Sequence, residues 1–140
     1  SDYVFSYDKM LAMTGNTAAY MQYSYARVKS IFEKSGHPNS SIINHPSSIV
    51  LPSPPERALA LALLQFAESL DRVAADYRPN HLTAYLFELA SRYSEFFENC
   101  PVIKAETEAL RTSRLALCDL TARTLQRGLN LLGIEIVERM

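Results

Sequence analysis

The stretch that decides the fold is "SPPERALALALLQFAESLDRVAADY", residues 53–77. It opens with a helix-start signal, because Ser53 is an N-cap residue, Pro54 takes the first helical position and Glu56 completes a capping box. Apolar residues then recur at alternating spacings of four and three, which places them on one side of a helix. These residues are Leu59, Leu63, Phe66, Leu70, Val73 and Tyr77. The pattern predicts one long amphipathic helix that Pro79 ends.

Two more stripes of the same spacing follow downstream. The first predicts a helix over residues 80–98, which ends before Pro101. The second predicts a helix over 105–132, with Gly133 as the residue after its end, so that the tail "IEIVERM" (134–140) leaves the helix. The apolar members are Leu82, Leu86, Leu89, Tyr93 and Phe96 in the first, and Leu115, Cys118, Ala122, Leu125, Leu129 and Leu132 in the second.

Upstream of residue 53, the pattern is helical over 17–34, with Asn16 at the N-cap or just before it. A long Ser-, Pro- and Asn-rich loop over residues 36–52 separates this helix from the next. Loops of that length are usually functional or disordered. Residues 2–7 alternate polar and apolar, which predicts a short strand or an extended arm.

Each apolar stripe must be buried against another, so the pattern predicts an all-α fold. We expect an antiparallel helical bundle with a long loop between its first and second long helices, forming a single domain over residues 1–140. The composition is 48% apolar and 21% charged, as in ordinary globular proteins. There is no apolar run of about 18 residues and no secretory signal. We therefore expect a monomeric cytoplasmic protein without a membrane span.

Several classes of site are disfavoured by the sequence. Cys100 and Cys118 do not form a CxxC pair, which favours two buried thiols in a reducing compartment. No Glu-x-x-His occurs near the three histidines, so no metal site is expected. Neither a Gly-rich phosphate loop nor a G-x-S-x-G motif is present, and no catalytic residues are predicted. The net charge of −1 means that any site for a polyanion must be a local patch.

The first helix carries a second cluster of side chains besides its core stripe. At about 100° per residue, the core stripe is formed by Met21, Tyr25, Val28 and Phe32. Tyr20, Tyr23 and Arg27 share another face, about 120° away. The cluster fits either a flank packed on a neighbouring helix or a platform on which unpaired bases stack while the arginine reaches a base edge or phosphate.

Three segments carry a resemblance that favours the second interpretation. They are "DYVFSYDKMLAMTGNTAAYMQYSYARVKSI" (2–31), "YSEFFENCPV" (93–102) and "GLNLLGIEIVERM" (128–140). In this order and spacing, they resemble the helical anticodon-binding domain of class I arginyl-tRNA synthetases, often called the DALR domain. The resemblance implies a tRNA-binding module of an enzyme that attaches arginine to tRNA. The HIGH-like and KMSKS-like signatures of the catalytic half are absent, so ATP and magnesium would belong to the parent enzyme, with no cofactor in this fragment.

The resemblance also implies roles for individual residues. Tyr20 and Tyr23 would stack on, or wall in, the splayed anticodon bases. Arg27 would line the pocket for the central base, a cytosine in arginine tRNAs. Phe97 matches an aromatic position of the anticodon region, and Met140 would close the pocket. The implied partners are the anticodon stem-loop of arginine tRNA and the catalytic domain of the same chain.

One departure from the family concerns the tail, where Val137 replaces a proline and predicts a less rigid segment before Met140. Contacts with phosphates are a further expectation, since neutralising phosphates dominates affinity for nucleic acid. The candidates are Lys29 and Lys34 on the first helix, and Arg111, Arg114, Arg123 and Arg127 on the last. A solvated face of ion pairs is the alternative for those arginines. The alternative for the whole chain is a helical protein-interaction domain with no RNA role.

Overall fold

The computed structural model describes residues 4–35 and 49–139. In this part of the chain the regular structure is entirely α-helical, which confirms the predicted fold class. The helices are α1 (Tyr7–Met10), α2 (Ala18–Ser35), α3 (Pro54–Leu64), α4 (Phe66–Asp76), α5 (Asn80–Asn99) and α6 (Glu108–Leu131). Most of the long loop, residues 36–48, lies outside the described residues. None of the described helices is both long and apolar enough to span a membrane.

Helix α5 is the centre of the bundle, since it contacts α2, α3, α4 and α6. It runs antiparallel to α3 and to α6 and parallel to α2, so α2 and α6 are antiparallel. The contacts that fix these directions are Tyr85–Ala62 and Cys100–Ser53 for α3, Leu86–Gly128 and Tyr93–Cys118 for α6, and Phe87–Tyr20 and Phe97–Arg27 for α2. The antiparallel bundle is thus confirmed, with α2 and α5 as its parallel pair.

The core forms where the predicted stripes of α2, α5 and α6 meet. Its largest fully buried side chains include Val28, Leu86, Leu89, Tyr93, Phe96, Leu125 and Leu129. Cys100 and Cys118 are both buried and unbridged, as predicted. Burial raises the pKa of the Cys118 thiol to about 12, so this thiol stays protonated and chemically inert.

The prediction of one long helix over residues 53–77 is wrong, because the chain breaks at Gln65 into α3 and α4. The carbonyl of Ala62 accepts a hydrogen bond from the Tyr85 hydroxyl at 2.8 Å and another from the Gln65 N–H at 3.2 Å. A side chain that inserts into the ladder of backbone bonds is a known cause of such breaks. Tyr77 was also wrongly placed in the stripe: it takes a left-handed backbone (φ 54°) at the end of α4 and is 89% exposed.

We expect the Tyr85→Phe variant of this chain to lose about 1 kcal/mol of unfolding free energy, because the Ala62 carbonyl loses a partly buried donor. Burial raises the pKa of Tyr85, so the hydroxyl is a donor at every ordinary pH. The measurement is chemical denaturation followed by circular dichroism. Tyr77→Phe is the matched control, since its hydroxyl lies in solvent. Equal denaturation midpoints for the two variants would show that the Tyr85 hydrogen bond does not stabilise the break between α3 and α4.

The helix ends largely follow the sequence signals. Asn16 lies just before the cap of α2, which is Thr17, whose side chain accepts from the Tyr20 N–H at 3.1 Å. Gly133 has a φ of 73° after α6, a backbone conformation that glycine adopts without strain. Helix α6 starts three residues later than predicted, because the Thr107 hydroxyl caps it by accepting from the Leu110 N–H. No strand forms over residues 4–6, and α1 begins at Tyr7.

Candidate nucleic-acid interface

The structure brings Arg27 of α2 and Phe97 of α5 into direct contact. The guanidinium carbon of Arg27 lies 4.1 Å from the centre of the Phe97 ring, a cation–π stack. The ring is held from behind by the fully buried Tyr93, at 6.2 Å between centroids. Seventy positions of sequence separate the two residues, and the parallel packing of α2 on α5 unites them. The stack orients the guanidinium while its N–H donors remain available at the edge.

Tyr20 and Tyr23, which the sequence groups with Arg27, have different environments. Tyr20 is half-buried and packs on Phe87 of α5, with ring centres 5.8 Å apart. Tyr20 therefore fits the interpretation of a flank packed on a neighbouring helix, which here is α5. Tyr23 is 39% exposed and presents its ring to solvent on the outer ridge of α2. An aromatic ring in that position can stack on a base.

The C-terminal tail borders the same ridge on its other side. The Gln22 side chain donates to the Glu135 carbonyl at 2.6 Å, and Arg139 lies 3.4 Å from Glu33. Burial and the nearby charge of Glu138 raise the pKa of Tyr25. Residues 134–139 therefore run along α2, and Tyr23 lies between this tail and the Arg27–Phe97 stack.

The tail bears on two of the sequence-based predictions. Val137, which replaces the family proline, is half-buried. Met140 lies outside the described residues, so its role in closing a pocket stays a prediction. Within the described residues, Glu135 and Arg139 both contact α2, the helix that carries Tyr23 and Arg27.

Two of the four arginines of α6 proposed as phosphate contacts, Arg111 and Arg114, bond to other parts of the bundle. Arg114 points inward: its Nε lies 2.7 Å from Glu56 and its Nη1 donates to the Pro101 carbonyl, with 11% of the side chain exposed. Arg111 is also drawn inward and donates to the Ser35 carbonyl at 3.3 Å. Arg114 is committed to a buried carboxylate, which removes it as a ready phosphate contact.

Four of the phosphate candidates remain on the surface, on different sides of the bundle. Arg123 pairs with Asp119 one turn earlier, at 2.8 Å from its Nε, and Arg127 is exposed. Lys29 lies 5.9 Å from the Tyr25 ring and lines a cleft of about 340 Å³ together with Arg123. Lys34 is exposed on the same side of α2 as Arg27. Lys34 is therefore the phosphate candidate best placed beside the Arg27–Phe97 stack.

Some contributors to this surface escaped the sequence analysis. Phe87 supports Tyr20, and the only sequence hint was its place beside Leu86, at the edge of the α5 stripe. Ile103, in the segment after α5, lines a cleft that also includes Phe97. No pattern predicts that contact, because it depends on how α2 and α5 pack. The described residues contain no group of three potential metal ligands.

Comparison with known proteins shows the family to which the chain belongs. The family model described as DALR anticodon binding domain matches residues 21–140. The chain belongs to the DALR anticodon-binding domain family. This confirms the resemblance of its three sequence segments. Tyr23, the Arg27–Phe97 stack and the tail all lie within the matched residues, 21–140.

Relatives of this DALR domain are arginine–tRNA ligases. The ligase of Synechococcus elongatus is 52% identical over 140 residues, and that of Trichodesmium erythraeum is 53% identical. Each match covers the whole chain and 24% of the relative, so the chain spans about a quarter of their length. Among solved structures, arginyl-tRNA synthetase from Plasmodium falciparum superposes with a TM-score of 0.84 at 33% identity, covering 100% of this chain and 24% of that one. The Thermus thermophilus enzyme gives 0.83 at 36%, covering 97% and 23%.

Proposed function

We propose that this domain binds the anticodon arm of arginine tRNA as part of an arginine–tRNA ligase, which attaches arginine to that tRNA. The observation that carries the proposal is the Arg27–Phe97 stack beside the exposed Tyr23. Membership of a family described as anticodon-binding, and relatives named as arginine–tRNA ligases, support it. Sequence-specific recognition of RNA favours single-stranded loops whose bases stack on aromatic rings and Arg planes.

The two exposed groups would divide the work of recognition. The Tyr23 ring offers a flat surface to one unpaired base. Tyr20, which packs on Phe87, supports the outer ridge of α2 that carries Tyr23. Arg27, oriented by Phe97, directs N–H donors toward the edge of the central base. Cytosine presents two acceptors there, O2 and N3, and a guanidinium can donate to both. Met140 would close the pocket from the tail side.

Phosphate contacts would add affinity that does not depend on sequence. Lys34 is an exposed cation on the same side of α2 as Arg27. Lys29, Arg123 and Arg127 would meet phosphates farther along the stem. Arg111 and Arg114 are proposed to stabilise the fold. The domain would act without a cofactor, as part of a monomeric cytoplasmic enzyme whose catalytic domain binds ATP and magnesium.

We expect the 140-residue chain to bind an arginine tRNA anticodon stem-loop more weakly than the full-length ligase does, because the linked contacts of the other domains are missing. It should neither charge tRNA nor release AMP. The measurement is fluorescence anisotropy with a labelled stem-loop over a series of salt concentrations, where affinity should fall steeply as salt rises.

The control for that experiment is the same stem-loop with its central cytosine changed to guanine, which should bind more weakly. Equal affinity for the two RNAs, or affinity that does not change with salt, would contradict the proposal. The second result would favour a protein-interaction domain.

A further inference from the structure

Tyr93 of α5 carries a buried hydroxyl that the packing of the bundle does not explain. The side chain is fully buried, and no described residue forms a hydrogen bond of ordinary geometry with the hydroxyl oxygen. A buried hydroxyl without a partner destabilises the folded state, because it has given up its bonds to water. Phenylalanine would fill the same space without that penalty. The hydroxyl therefore points to a role outside folding.

The Tyr93 ring lies next to the Arg27–Phe97 stack. Tyr93 precedes Phe97 by one helical turn, and their ring centres are 6.2 Å apart. Tyr20 packs on Phe87 where α2 and α5 run parallel. Seven residues farther along each helix, Arg27 is therefore level with the turn of α5 that contains Tyr93.

Two polar groups face the Tyr93 hydroxyl, one from each neighbouring helix. Burial and the Cys118 thiol of α6 raise the pKa of Tyr93 well above its ordinary value, and the charge of Arg27 on α2 opposes them. The hydroxyl is thus protonated at every ordinary pH. Thiol sulfur is a weak acceptor, so an O–H turned toward Cys118 leaves the oxygen, the negative end of the dipole, for the cation.

Arg27 is a side chain on which such a dipole can act. Its guanidinium contacts the Phe97 ring at 4.1 Å, and it forms no ion pair among the described residues. A ring face fixes the height of a guanidinium above it but leaves the group free to slide in its own plane. Ordering a long side chain when a base binds reduces affinity.

We propose that Tyr93 is a positioning residue of the anticodon site, whose hydroxyl oxygen holds the Arg27 guanidinium in place on the Phe97 ring before RNA binds. The inference rests on the proposed function and adds to it a buried residue that does not touch RNA. A side chain that is ordered in advance loses less entropy on binding, so the hydroxyl increases affinity for the base that Arg27 contacts.

Tyr93→Phe in the full-length ligase tests this role, because it removes the hydroxyl and keeps the ring. We expect affinity for the arginine tRNA anticodon stem-loop to fall by about two- to tenfold, the lower range of coupling between neighbouring residues. Affinity for the same stem-loop with guanine at its central position should change little, so the preference for cytosine narrows. Hydrogen exchange of the α5 amides in this ligase should be as slow as in the wild type, or slower.

Tyr85→Phe is the matched control, since its hydroxyl is also on α5 but donates to the Ala62 carbonyl at 2.8 Å. This variant should exchange faster at α5 and bind RNA like the wild type, the reverse of Tyr93→Phe. Adding Tyr93→Phe to Arg27→Ala should cause no further loss of affinity, because the hydroxyl acts only through Arg27.

The outcomes separate this inference from the proposed function. Unchanged binding by Tyr93→Phe, an equal loss for the two RNAs, or faster exchange at α5 would each overturn the positioning role. A further loss when Tyr93→Phe is added to Arg27→Ala would overturn it as well. If Arg27→Ala by itself binds both stem-loops like the wild type, the proposed function fails, whatever the result for Tyr93→Phe.

Discussion

Replacing Glu56 by alanine is expected to lower the unfolding free energy of this chain by about 3–5 kcal/mol, the usual cost of removing one partner of a buried ion pair. Glu56 is fully buried, and one of its oxygens lies 2.7 Å from the Arg114 Nε. Its other oxygen accepts from the backbone N–H and the hydroxyl of Ser53 at 2.8 Å. One carboxylate thus caps α3 and ties it to α6. Denaturant unfolding measures the loss.

The matched control is Glu68→Ala on α4. Glu68 lies 2.6 Å from Arg72, a shorter contact than the buried pair makes, but both side chains are more than half exposed. Exposed pairs contribute about 0–1 kcal/mol, so this variant should be nearly as stable as the wild type. Similar losses for Glu56→Ala and Glu68→Ala would show that burial does not govern the cost.

The same carboxylate makes stability depend on pH. Burial raises the pKa of Glu56, but the hydrogen bonds and charge of Arg114 and the bonds from Ser53 outweigh it, so that the net pKa lies below the ordinary value of a glutamate. A pKa that is lower in the folded state adds stability above the unfolded value, and this stability is lost as the pH falls through the folded pKa. We expect the wild type to lose stability below about pH 4.5 more steeply than Glu56→Ala does. Parallel curves would contradict this assignment.

The helical elements of this fold could be predicted because local signals and burial agree in them. The capping box at Ser53 and Glu56, and Gly133 after α6, need only a few neighbouring residues to act. The break at Gln65 could not be predicted, since its cause is a hydroxyl on another helix, Tyr85. The stripe of residues 53–77 has the period of one helix, and a contact between helices divides it.

Prediction of the candidate site from the sequence has the same limit, because contacts between helices decide it. Helical spacing places Tyr23 and Arg27 off the core stripe, and the structure leaves Tyr23 exposed as that spacing implies. Spacing could not show that Arg27 would meet Phe97, or that Tyr20 would be covered by Phe87. For Arg114, the charge alone suggested a solvent-facing phosphate contact. Its actual partner, Glu56, lies 58 positions away and had been assigned only to a helix cap.

Arg27→Ala and Tyr23→Ala are each expected to weaken binding of the arginine tRNA anticodon arm by about five- to a hundredfold in the full-length ligase, the loss expected for one stacked base. Their effect on unfolding should stay within about 1 kcal/mol, because Tyr23 is 39% exposed and Arg27 lies off the core stripe. Val28→Ala, one position from Arg27 but fully buried, should do the reverse. It should lower stability by about 2 kcal/mol and leave the affinity of the folded protein nearly unchanged.

Measuring melting and tRNA binding for these three variants side by side separates a binding surface from a packing surface. Phe97→Leu extends the comparison, because it keeps an apolar side chain behind the guanidinium but removes the ring that orients it at 4.1 Å. If orientation by the ring matters, this variant should lose affinity in the same direction as Arg27→Ala, and the double variant should lose less than the sum. If Tyr23→Ala and Arg27→Ala unfold the domain as Val28→Ala does, the outer ridge of α2 is a packing surface, and the proposed anticodon site is wrong.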